Sequence, residues 1–140
     1  MSSGVQISSE CVPVFNDSLK LGKSIRAIFY KLDQKSEKIT VEKTIPRQET
    51  NFETIVGELP LQEPRYVTID YEYKSEDNVT KSKIIFLSWC PNGTPIRARM
   101  LHTSSLQSIR RALVGINFEI QASDFSECSH EVFLERINRI

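Results

Sequence analysis

KSKIIFLSWCPNGTPIRARMLHTSSLQSIRRAL, residues 81–113, sets a nearly all-apolar run against a basic helical stretch with only a short Pro-Asn-Gly-Thr loop between them. IIFLSW, 84–89, is rich in β-branched and aromatic residues and does not alternate. That pattern predicts a central strand buried on both faces, and a sheet built around such a strand needs a helical layer on each side. After the loop, Pro95 suits the first turn of a helix and Gly115 suits its end, so a long helix is predicted between them. At about 100° per residue, Ala98, Leu101, Leu106, Ile109, Ala112 and Leu113 share one face that can dock on the sheet. The other face collects Ile96, Met100, Thr103, Gln107, Arg110 and Arg111, with Arg97 and Arg99 on its shoulders. A lone methionine on a solvent face does nothing for the folded monomer. At an interface it fills gaps, and arginine is enriched there too.

The charge pattern points the same way. The 140-residue chain has 18 basic and 18 acidic residues, yet no Asp or Glu occurs from Asn78 to Phe118. Lys81, Lys83, Arg97, Arg99, Arg110 and Arg111 lie in that window, which leaves 12 cations against 18 anions and a net of minus six for the rest. A folded chain that gathers the window on one side would be two-faced, and an acidic partner is the simplest consequence. The zero overall balance argues against a general nucleic-acid or membrane binder. The length suits one domain, 1–140, and no run approaches the roughly 18 apolar residues of a membrane span. The first ten residues lack the basic and apolar regions of a signal peptide. Cys11, Cys90 and Cys128 have no metal-ligand spacing, so unpaired thiols, a reducing cytoplasm, no metal and no cofactor are expected.

Elsewhere Ser8 or Ser9 can cap a short helix through Val12, Phe15 and Leu19 that stops near Gly22. Residues 24–32 and 38–44 alternate as a hairpin, Asn51 or Thr50 can cap a short helix before Pro60, and 65–74 pairs with 81–90 across SEDNVT. INFEI, 116–120, reads as a strand, and 131–140 as a last amphipathic helix capped by Ser129. The fold class is therefore α+β, a mixed sheet of about five strands with helices on both faces.

Six stretches, FND…LKLGK, KSKIIFLSWCP, PIRARM, SSLQSIRRAL, GINFEIQASDFSE and FLERI, together resemble the successive signatures of the ADF/cofilin family, in order across nearly the whole chain. Ser18 is an extra residue within the first of them. The resemblance implies a monomeric actin-binding protein of the cytoplasm and actin cytoskeleton that engages monomers and filaments and promotes filament severing and depolymerisation. It also implies a flexible tail over about residues 1–6, and a surface common to monomer and filament binding at Ser3, Gly4, Val5, Arg97, Arg99, Met100 and Ser104. A filament-specific surface falls at Lys81, Lys83, Glu135, Arg136 and Arg139. Arg110 and Arg111 resemble a phosphoinositide-binding pair, and Ser3 the family's phosphorylation position. Two alternatives share this fold: a side-binding protein of the coactosin type that does not sever, and a phosphoinositide-regulated actin modulator.

An enzyme is not expected. His102, His130, Cys90 and Cys128 belong to no nucleophile elbow, HExxH, P-loop or CxxC. His102 reads as flanking the long helix, while Trp89, Tyr66, Tyr71 and Tyr73 read as packing residues.

Overall fold

The structure, a computed structural model, describes residues 5–49 and 51–139. Its strands are β1 (Gln6–Ile7), β2 (Ile25–Asp33), β3 (Lys38–Pro46), β4 (Arg65–Lys74), β5 (Thr80–Trp89) and β6 (Phe118–Ala122). They form one sheet in the order β1-β3-β2-β4-β5-β6, mixed because β1–β3 and β5–β6 are parallel and the other pairs antiparallel. The α+β reading stands, with six strands where about five were expected. The additional strand is β1, too short to carry a sequence pattern, and Gln6 N–H donates to Glu37 O at 2.9 Å there. Of the tail expected over residues 1–6, Val5 is buried and Gln6 is paired. The last strand lies at 118–122 rather than 116–120, because Asn117 is spent on bonding Ile84 through both its N–H and its side chain.

β5 lies between β4 and β6, and Ile85 to Trp89 are buried as the unbroken apolar run requires. Its alternate side chains feed two cores. On one face Ile85, Leu87 and Trp89 pack with α2 (Phe52–Val56) and α4 (His130–Asn138), through Ile55, Phe133 and Ile137. On the other, Phe86 packs with the first helix and with α3 (Ile96–Ala112), through Cys11, Phe15, Leu19, Leu106, Ile109 and Leu113. Each buried Leu, Ile or Phe contributes about 1.5–3 kcal/mol, so this two-sided burial is what holds the layers together.

Ser129 and Asn51 act as the N-caps expected of them, their side chains accepting from Val132 N and Glu53 N. Thr50 and Ile140 lie outside the described residues. The first helix departs from expectation. Glu10 is its N-cap and gives no side-chain bond, while Ser8 bonds the Glu10 carboxylate instead. After α1 (Cys11–Pro13) the chain continues as a π-helix, Val14–Leu21, in which Gly22 N–H reaches back five residues to Asp17 O at 2.8 Å. In this wider coil Phe15 and Leu19 are both fully buried. Gly22 is required at its end, since a Cβ there would stand 2.2 Å from Asp17 O. Lys20 then donates to Val114 O at 2.9 Å, tying the π-helix to the chain leaving α3.

His102 belongs to this inner layer and does not flank the helix, for it is 2% exposed. Its Nε2 lies 2.9 Å from Ser88 Oγ and its ring stacks on Tyr66 at 4.2 Å. The Tyr66 hydroxyl donates to the His102 carbonyl at 2.5 Å. Burial disfavours the imidazolium and pushes the His102 pKa from 6.5 down to about 4. The unfolded chain therefore takes up the proton first, so this stabilisation is complete above pH 6.5 and is lost as pH falls towards 4. Its size is at most about 3 kcal/mol. We expect the unfolding free energy of the wild type, measured relative to His102→Gln, to shrink by up to that amount between pH 7 and pH 4 in urea titrations. A difference that does not vary with pH would reject the buried neutral imidazole.

Candidate functional site

The β5–α3 loop sets how α3 begins. Pro91 and Thr94 are buried, Thr94 N–H closes a turn on Pro91 O at 3.0 Å, and Pro95 is the α3 N-cap. With His102 turned into the core, Ile96 and Met100 face solvent at 75% and 65% exposure. They line an open groove of about 530 Å³ together with Arg97, Leu101, Ser104 and Glu37. Ser104 bonds back to Leu101 O at 3.2 Å and stays exposed. The groove thus pairs an apolar floor, as the helical wheel predicts, with Arg97 and Glu37 as its charged lining.

The two arginines at the start of α3 differ. Arg97 is exposed and makes no hydrogen bond or ion pair among the described residues. The Arg99 guanidinium folds back to donate to Asn92 O at 3.0 Å and Thr94 O at 3.3 Å, bracing the loop that launches the helix. Glu37, which nothing in the sequence singles out, stands at φ 49° in the β2–β3 turn and lines the groove from the other side. Because Gln6 N–H bonds Glu37 O, β1 lies beside the groove. Val5, expected within the flexible tail, is packed in the core. Ser3 and Gly4 lie outside the described residues.

The acid-free window does not form one basic side. Lys81 and Lys83 sit at the start of β5, about 26 Å and about 20 Å of strand from Trp89, where the chain turns towards α3. Near them is α4, on the opposite face of the sheet from α3. Arg136 lies 5.3 Å from the Phe118 ring centroid, and Phe118 pairs with Ile85, two positions beyond Lys83. Arg139 and Glu135 form an exposed i,i+4 pair at 2.8 Å. Lys81, Lys83, Glu135, Arg136 and Arg139 therefore share one end of the molecule, well apart from the α3 groove. At the far end of α3, Arg110 is held by Glu119 at 3.2 Å while Arg111 is exposed and unpaired among the described residues, so the expected phosphoinositide pair is divided. His130 meets Tyr71 through its Nδ1, and burial raises the Tyr71 pKa. Among the described residues no group of three or more His, Cys, Asp or Glu gathers as a metal site would need.

A sheet layered between helices, with an exposed methionine and free arginine on one helix front, defines a protein-binding module. The family model for cofilin/tropomyosin-type actin-binding proteins matches residues 4–138, and the chain belongs to that family. It is 42% identical over 139 residues to the cofilin of Mycosarcoma maydis, covering 99% of this chain and 98% of that one. It is 43% identical to cofilin-1A of Dictyostelium discoideum over the full length of both. Among solved structures, the cofilin of Streptomyces griseoflavus superposes with a TM-score of 0.89 at 34% identity, over 97% of this chain and 98% of that one. The human coactosin-like protein superposes at 0.77 with only 11% identity, over 99% and 92% of the chains, a likeness of fold alone.

The unequal tethering of the two arginines has a measurable consequence. Arg97→Ala should change stability by less than about 0.5 kcal/mol, as at ordinary surface sites. Arg99→Ala should cost about 1 kcal/mol through its lost loop bonds. Equal effects in denaturant titrations would show that the Arg99 bonds do not hold the loop.

Proposed function

We propose that this actin-binding, actin-depolymerising protein works through two separate surfaces, one shared by monomer and filament binding and one used only on filaments, and that filament severing follows from engaging both. The observation that carries this reading is the groove of Ile96, Met100 and Arg97, an apolar insert beside a cation that has no partner among the described residues. Actin offers an acidic, partly apolar surface to such a face. Arg97, Arg99, Met100 and Ser104 form the shared surface together with Ser3 and Gly4, with Val5 as their anchor. Lys81, Lys83, Glu135, Arg136 and Arg139 form the filament surface, supported by their gathering at the opposite end. Arg111 is the better placed of the two distal arginines for an anionic phosphoinositide headgroup, because Glu119 already occupies Arg110.

The protein acts as a single-domain monomer in the cytoplasm, at the actin cytoskeleton, by binding rather than catalysis and without nucleic acid. No helix among the described residues is long and apolar enough to cross a membrane. The side-binding alternative shares the fold but not the sequence, as the 11% identity to a coactosin-like protein beside 42% to a cofilin indicates.

Two experiments test the division of labour. Lys81→Ala with Lys83→Ala should weaken filament co-sedimentation and leave monomer affinity intact. Arg97→Ala should weaken both, by about 30-fold if the lost contact is a desolvated one costing about 2 kcal/mol. Parallel losses in both variants would reject two surfaces. A phosphate on Ser3 would add about −1.5 to −2 charges next to an acidic partner. Ser3→Glu should therefore inhibit filament disassembly partially, and less so as salt rises, with Ser3→Ala active throughout. Full activity of Ser3→Glu at low salt would remove Ser3 from the site.

A further inference from the structure

Asn92 and Gly93 are the central residues of the turn between β5 and α3 that Thr94 N–H closes on Pro91 O. Both are exposed, and neither the Asn92 side-chain amide nor the Gly93 N–H is hydrogen-bonded among the described residues. Of the six asparagines, only Asn92 precedes a glycine, so only there is the following backbone nitrogen unshielded by a side chain. The third component is Arg99, whose guanidinium donates to the main-chain carbonyl of Asn92 itself.

We propose that Asn92 is a site of spontaneous deamidation, steered by Arg99 towards isoaspartate, and that the product disables the α3 face. A charge-assisted hydrogen bond on the Asn92 carbonyl withdraws electron density from the Asn92–Gly93 peptide and acidifies its N–H. The deprotonated nitrogen attacks Asn92 Cγ. The N–Cγ bond forms, the Cγ–Nδ2 bond breaks, and Nδ2 leaves with a proton as ammonia, which closes a five-membered imide. Water then adds to the main-chain carbonyl carbon of residue 92, and the bond from that carbon to the Gly93 nitrogen breaks. The chain now runs through Cβ and Cγ, and the former main-chain carbonyl becomes a carboxylate. Arg99 stands where the oxyanion of this second step develops, so it favours attack at that carbon over attack at Cγ. No oxidant or reductant is needed, and water is the only co-reactant.

The new carboxylate lies against Arg99, lowers the net charge at the start of α3 by one unit and lengthens the turn that launches α3. The expected loss of actin binding rests on the reading of α3 as the actin face. The chemistry does not.

The full chain, held at physiological temperature from neutral to mildly alkaline pH, should convert at Asn92 ahead of its other asparagines and faster as pH rises, with isoaspartate predominating, as read by peptide mass spectrometry. Asn92→Gln should block conversion, and Gly93→Ala should slow it. The latter variant is sterically safe, since its Cβ would meet Gln62 Cγ at 3.7 Å. Arg99→Ala should convert roughly tenfold more slowly, less than the roughly 100-fold of a water-excluded donor, and with a smaller isoaspartate share. Conversion as fast or faster in Arg99→Ala, with an unchanged product ratio, overturns the steering. An Asn92 that stays intact while another asparagine converts overturns the site. Converted protein should bind actin monomers more weakly than fresh protein. If it binds equally well while Arg97→Ala does not, the consequence is wrong and the face is right. If Arg97→Ala also binds normally, the reading of the face itself fails.

Discussion

His102 docks α3 against the sheet by a hydrogen bond to Ser88 on β5 and a stack on Tyr66 of β4, whose hydroxyl in turn bonds the His102 carbonyl. Leu106, Ile109 and Leu113 supply more of the attraction, but an apolar stripe tolerates small rolls of a helix about its axis. A buried imidazole does not. Rolling α3 would leave Ser88 and His102 without partners, at roughly 1–3 kcal/mol for each buried polar group left unpaired. Met100 is two residues from His102, about 200° round the helix at 3.6 residues per turn. Fixing one inward therefore fixes the other outward, and the groove follows from a core contact on the far side of the same helix.

The same strand that receives His102 also separates the two candidate surfaces. Its start carries Lys81 and Lys83, its end leads into the α3 loop, and its alternating side chains serve opposite cores. β5 suits this task because it is paired along its whole length with β4 and buried over residues 85–89, which fixes the spacing between its ends. The far end of α3 is held separately, by Lys20 from the π-helix on Val114 O. The π-helical coil thus carries both the buried stripe of Phe15 and Leu19 and the Lys20 tether.

Much of this was legible in residue order. The unbroken apolar run at 84–89 required cover on both faces, and the wheel placed Ile96, Met100 and Arg97 outside because helical geometry is local. Less visible was whatever depends on partners distant in sequence. The acid-free window suggested one basic side, yet its cations are dispersed because strand and helix run to different ends of the sheet, and Glu119 from outside the window neutralises Arg110. His102 read as a flank because a histidine carries no apolar signal, and its burial depends on Ser88 and Tyr66 being opposite. β1, two residues long, is created by its neighbour β3 rather than by any pattern of its own. The six-stretch resemblance supplied the family, and the family model over residues 4–138 agrees with it.

Arg97 and Arg99 show how a binding face coexists with a soluble, well-launched helix. Two large apolar side chains in the open invite self-association unless charge surrounds them. Arg97 supplies charge with its donors unspent among the described residues, and so remains available to a partner. Arg99 spends donors on two loop carbonyls, so it also fixes where the helix begins and hence where Ile96 and Met100 stand. Two identical residues two positions apart therefore do different work, one as contact and one mainly as brace, and substituting both at once cannot separate those roles. A lysine at 97 would preserve a point charge. At 99 it would lose the planar fork that spans the loop carbonyls, so the structural demand for arginine is greater at the position less free to touch the partner.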